Sequence, residues 1–73
     1  MTVNVQALEQ EIKNANLRKK QFANQIDMDE ATLYRKMRSD GEKFTVGEMH
    51  KIIKVLNLSK DSASAIFLFQ NSQ

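Results

Sequence analysis

Phe22-Ala23-Asn24-Gln25-Ile26-Asp27-Met28-Asp29-Glu30-Ala31-Thr32-Leu33-Tyr34-Arg35-Lys36-Met37 decides how this chain folds. Ala23 is small, so the helix that carries it can cross a neighbour at short range. Asp27, four residues on, sits at a sharp turn. Met28 follows it into the core. Leu33 and Met37 are four apart and anchor a second helix from the inside. The pattern predicts a helix over 18–25, a three-residue turn Asp27-Met28-Asp29, and a helix over 30–38, the unit as a whole occupying 19–38. Asp29 suits the N-cap of the second helix, Glu30 suits its first turn, and Arg38 suits its last. Thr32, Arg35 and Arg38 fall on the outer side, and Tyr34 is intermediate. Two short helices packed in this way leave the outer face of the second free to enter a groove.

The flanking segments read as helices too. Asn4 is a candidate N-cap, and Val5, Leu8, Ile12 and Ala15 share one face of a first helix. Asn14 and Asn16 are its stop signals, and Leu17 leads into the next segment. After 38, Ser39-Asp40-Gly41-Glu42-Lys43 is a loop in which Gly41 gives conformational freedom. Thr45-Val46-Gly47-Glu48 is a capping box, with Phe44 and Met49 as its hydrophobic staple. A fourth helix then carries Met49, Ile52, Ile53 and Leu56 inward and stops at Asn57. Ser59 caps a fifth over 60–69, with Ala63, Ile66 and Phe67 on one face. The expected fold class is therefore all-α: five helices in a single domain spanning 1–73.

There is no proline and there are only two glycines, so caps rather than breakers must punctuate these helices. Seventy-three residues make a core so small that most apolar side chains have to face inward or into a partner. Two readings of Ile66-Phe67-Leu68-Phe69 stay open. Either all four finish the core, or Leu68 and Phe69 belong to a subunit interface, which would give a homodimer.

Several function classes are disfavoured. There is no cysteine and a single histidine, His50, so neither disulfides nor a transition-metal site are expected. No nucleophile–base motif or phosphate-cradling glycine loop is visible, so neither an enzyme nor a small-molecule substrate is expected, and no cofactor. No membrane span or secretory signal is visible, which makes the cytoplasm the expected location. The net charge is only +2. However, Arg18, Lys19, Lys20, Arg35, Lys36, Arg38 and Lys43 all lie between residues 18 and 43, around the central pair of helices.

The 22–37 stretch resembles the Cro/CI-type, or lambda-repressor-like, helix-turn-helix regulators. Phe44-Thr45-Val46-Gly47-Glu48-Met49, leading into Ile52-Ile53-Lys54-Val55-Leu56-Asn57-Leu58-Ser59, is similar to that family's fourth helix and following turn. The likeness covers roughly residues 5–69. Small size and the string Leu33-Tyr34-Arg35-Lys36 resemble the Cro-like or modulator-of-repression proteins of temperate phages. The resemblance implies a regulator of the lysis–lysogeny switch in a bacterial host cytoplasm, with operator DNA as its partner. By position, Lys19 and Lys20 would meet phosphates. Ala31, Thr32 and Arg35 would face base edges, with Arg35 on a guanine. Tyr34, Arg38 and Lys43 would hold the flanking backbone. The plainer alternatives are that Tyr34 is half-buried packing and that Lys36 and Lys43 are solvated charges.

Two positions depart from the family pattern. The usual turn glycine is Asp27, and the end of the helix that approaches DNA carries Asp29 and Glu30. Acidic groups there, with Asp27, Asp40 and Glu42, suit a second reading. In that reading the chain is an antirepressor that docks on the basic DNA-binding face of the cognate phage repressor.

Overall fold

The computed structural model describes residues 2–39 and 41–67. Five α-helices follow in order: α1 (Val5–Asn14), α2 (Lys19–Gln25), α3 (Glu30–Arg38), α4 (Val46–Leu56) and α5 (Lys60–Phe67). There is no strand among the described residues, so the all-α expectation holds. The expected residues 68–69 of α5 lie outside the described part, and so does the question of what Leu68 and Phe69 touch.

Local chemistry explains where the helices begin. The Asn4 side chain accepts from the Ala7 amide, 3.1 Å. Ser59 Oγ does the same for Ser62, 3.1 Å. The Thr45 hydroxyl accepts from the Glu48 amide at 3.1 Å while the Glu48 carboxylate accepts from the Thr45 amide at 3.0 Å, the expected capping box. Phe44 and Met49, on either side of it, are both buried in the core. At α2, Arg18 is the N-cap rather than the first helical residue, and its amide donates to Gln21 Oε1 at 2.9 Å.

The ends of three helices share one device. After α1, the Leu17 amide donates to the Ile12 carbonyl and the Asn16 amide to that of Lys13. After α2, Met28 donates to Ala23 and Asp27 to Asn24. After α4, Leu58 donates to Ile53 and Asn57 to Lys54. Each is a Schellman arrangement, and each needs one residue in the left-handed region. Asn16, Asp27 and Asn57 fill that place, with φ of 59°, 60° and 51°. Asn and Asp tolerate this conformation better than other residues with a Cβ, which is how a chain so poor in glycine stops its helices. The apolar residue after each, Leu17, Met28 or Leu58, folds back onto the core.

Phe22, Phe67, Leu8, Ile26, Leu33, Ile52 and Ile66 are the largest fully buried side chains. They come from every helix and from the turn after α2. The main helix pairings are α2 with α3 and α1 with α5. The N-terminal segment joins the core as well. Val3 is buried, and the Asn4 amide donates to the Ile66 carbonyl at 2.6 Å. Gly41, at φ 74°, lies against Val3 so closely that a Cβ would collide with that side chain. Conformation and space together therefore require glycine there.

Three expectations are corrected. Ala15 is exposed, because α1 ends one residue before it. Ile53 and Leu56 pack against the core as expected, but they are half-buried rather than fully buried. Asp29 occupies the N-cap position of α3, but its side chain makes no capping hydrogen bond.

Candidate functional site

Leu33 and Met37 pin α3 to the core. Their spacing turns Ala31, Tyr34, Arg35 and Arg38 outward, and all four are exposed. Glu30 and Tyr34 lie towards one flank of this helix, and Thr32 and Lys36 towards the other.

The first flank is a groove between α1, the start of α2 and α3. Its walls include Glu9, Lys13, Lys19, Lys20, Glu30 and Tyr34. Lys19 is not free in it. Its ammonium lies 3.4 Å from Glu9 Oε2 and 5.7 Å from the centre of the Tyr34 ring. Lys20 is exposed and forms no ion pair among the described residues. Tyr34 is 41% exposed, so its side chain is partly packed and partly open to a partner.

Two hollows mark the other flank. Asn24, Asp27, Met28, Asp29, Thr32 and Glu48 line one. Thr32, Arg35, Lys36, Ser39 and Lys43 line the other. Arg35 Nη2 donates to Thr32 Oγ1 at 3.1 Å, so the guanidinium is already held on the outer face. Arg38 and Lys43 are exposed.

The expected DNA-contact residues therefore fall into three groups. Lys19, Lys20 and Tyr34 share the groove; Thr32, Arg35 and Lys43 share a hollow; Ala31 and Arg38 form the ridge between. The expected acidic residues are split as well. Asp27 and Asp29 share a hollow, Glu30 lies with the lysines across α3, and Glu42 is exposed in the loop. Asp40 lies outside the described residues.

Lys36 is not the solvated charge the sequence suggests. Its ammonium bonds both oxygens of Glu48, at 2.7 and 2.8 Å. The two side chains are only 18% and 22% exposed. Phe44 stands beside it, its ring centre 6.0 Å from the ammonium. Burial pushes the Glu48 carboxyl up, but the Lys36 hydrogen bond, the Thr45 amide and hydroxyl, and the Lys36 charge together hold it below its ordinary value. A second tie joins Lys51 of α4 to Asp27 at 3.0 Å. Both partners there are largely exposed, and such pairs contribute little stability.

Sequence reasoning flagged Glu48 for its cap but missed that it also holds Lys36. The two are twelve apart, beyond any helical repeat, so no periodic signal marks them. His50 is exposed on α4. Among the described residues no group of His, Asp or Glu could hold a metal, and no helix is long and apolar enough to cross a membrane.

No protein-family model, curated protein or solved structure matches the chain.

Proposed function

We propose that this chain is a phage-type transcriptional regulator of the lysis–lysogeny switch. In this reading α2 and α3 form a lambda-repressor-like helix-turn-helix, and α3 enters the major groove of operator DNA. It is a binding protein, not an enzyme, and it works without a cofactor in the host cytoplasm. The observation that carries the reading is the outward ridge of α3. Ala31, Arg35 and Arg38 project from a helix anchored by Leu33 and Met37, with Arg35 already held by Thr32. Exposed Lys20 lines the groove on one side of α3 and exposed Lys43 the hollow on the other, which suits phosphate contacts on both sides of that ridge.

One observation supports a second reading. Asp29 makes no capping bond, and both it and Glu30 are exposed at the end of α3 that would approach the duplex. Carboxylates there repel phosphate, but they suit the basic DNA-reading face of a repressor. The second reading is thus an antirepressor that docks on the cognate repressor's DNA-binding domain and alters its operator binding.

Gel shifts on the phage's divergent promoter, with and without the cognate repressor, separate the two. Specific binding by this chain alone supports the operator reading. Failure to bind, together with loss of the repressor's own shift, supports the antirepressor. On the operator reading Arg35→Ala lowers specific affinity by about 1–3 kcal/mol. An unchanged affinity removes Arg35 from the interface.

A further inference from the structure

We propose that Thr32 and Arg35 read DNA as one unit. The Thr32 hydroxyl holds the Arg35 guanidinium towards a guanine, and the hollow beside them takes the methyl group of a neighbouring thymine. This rests on the operator-binding reading and names the bases that α3 prefers.

The hydrogen bond from Arg35 Nη2 to Thr32 Oγ1, at 3.1 Å, joins residues three apart on one helical face. Nothing else has to move to form it. A guanidinium has five N–H donors in a rigid fork. With one spent on Thr32, two can still reach O6 and N7 of a guanine. An exposed arginine without such a tether samples many rotamers, and ordering them on binding weakens affinity and blurs preference. Thr32 is therefore a positioning residue for Arg35.

The hollow supplies the second part. Thr32, Arg35, Lys36, Ser39 and Lys43 enclose about 320 Å³ of open space, and the wall they present is mostly carbon. That is unexpected for a site bordered by three cationic residues. The Lys36 ammonium explains much of it, since it is bound to Glu48, so Lys36 offers the hollow its methylene stem. A phosphate gains little from a carbon wall. In the major groove the apolar group that base pairs present is the thymine C5-methyl.

The test begins with the full chain selecting from duplexes with a randomised centre, followed by binding titrations on the enriched duplex. Wild type is expected to enrich a guanine next to a thymine. Replacing that guanine by 7-deazaguanine should weaken binding about tenfold. Replacing the thymine by deoxyuridine, which removes only the methyl, should weaken it about fourfold. Thr32→Val keeps a methyl and removes the hydroxyl, so it should lose most of the 7-deazaguanine effect and keep the deoxyuridine effect. Thr32→Ser should do the reverse. Circular dichroism of both variants checks that the helices are intact. An equal 7-deazaguanine penalty in wild type and a folded Thr32→Val variant overturns the positioning role. Absence of any deoxyuridine penalty overturns the methyl site. If no sequence is enriched, the operator reading itself fails and takes this inference with it.

Discussion

The first turns of α3 and α4 begin from similar sequence. Each has a good capping residue followed by an acid, Asp29 with Glu30 and Thr45 with Glu48. At α4 both groups are spent. Thr45 and Glu48 bond each other's amides, and Glu48 also takes the Lys36 ammonium. At α3 neither is spent on a cap, and both side chains stand in solvent. One set of acids holds the fold together, whereas the other is left for whatever meets the outer face. Acid at a helix start is favourable in both cases through the dipole, so that general effect does not explain the contrast. Spacing does for the cap: Glu48 is the third helical residue and reaches the Thr45 amide, whereas Glu30 is the first and cannot close a box; the fold then adds Lys36 to Glu48 alone.

The strongest way to break the contrast is to remove Glu48. Glu48→Ala deletes half of the capping box and leaves Lys36 partly buried without its counter-charge. The expected loss is about 2 kcal/mol, less than for a fully buried pair because both groups keep some contact with water. For a domain of this size that lowers Tm by roughly 10 °C, measurable by thermal melting. Thr45→Ala removes the other half of the box and leaves the ion pair, so about 1 kcal/mol is expected.

Acid probes the same site without mutation. The Glu48 carboxyl lies below its ordinary value in the folded chain, so folding binds this proton less tightly than the unfolded chain does. Its contribution is then fully present above the ordinary carboxylate range and is lost as pH falls through the depressed folded value. Melting wild type and Glu48→Gln from pH 7 downward should show a steeper decline for wild type. Parallel curves would mean that Glu48 is not the group responsible.

The smallest stability effect is expected at the other end of the comparison. Asp29→Ala removes a capping residue that makes no cap bond, so a change within about 0.5 kcal/mol is expected. Binding is where it should register. If α3 meets DNA, removing this carboxylate strengthens association, and if α3 meets a basic protein face it weakens it. A loss of stability matching Thr45→Ala would instead make the two helix starts equivalent.

Much of this fold could be read from the chain itself. Asn4, Thr45 with Glu48, and Ser59 announce helix starts, while Asn16, Asp27 and Asn57 announce stops. These signals work through hydrogen bonds to amides and carbonyls a few residues away, so the sequence contains both partners side by side. Leu33 and Met37 set the buried side of α3, and with it the outward direction of Ala31, Arg35 and Arg38. The short bond between Thr32 and Arg35 lies within the same reach, at a spacing of three along one face.

Tertiary structure decided which of those charges are still free. Lys36 finds Glu48 across twelve residues and Lys51 finds Asp27 across twenty-four. Lys19 pairs with Glu9 on another helix, and Gly41 is required by Val3, thirty-eight residues earlier in the chain. Such pairings depend on how helices pack, and local periodicity does not encode that. The stretch from Phe22 to Met37 specified by itself two helices, a left-handed turn at Asp27 and an outward face. Local spacing committed Glu48 to its cap, but only the tertiary fold brought Lys36 to it and left Asp29 and Glu30 exposed.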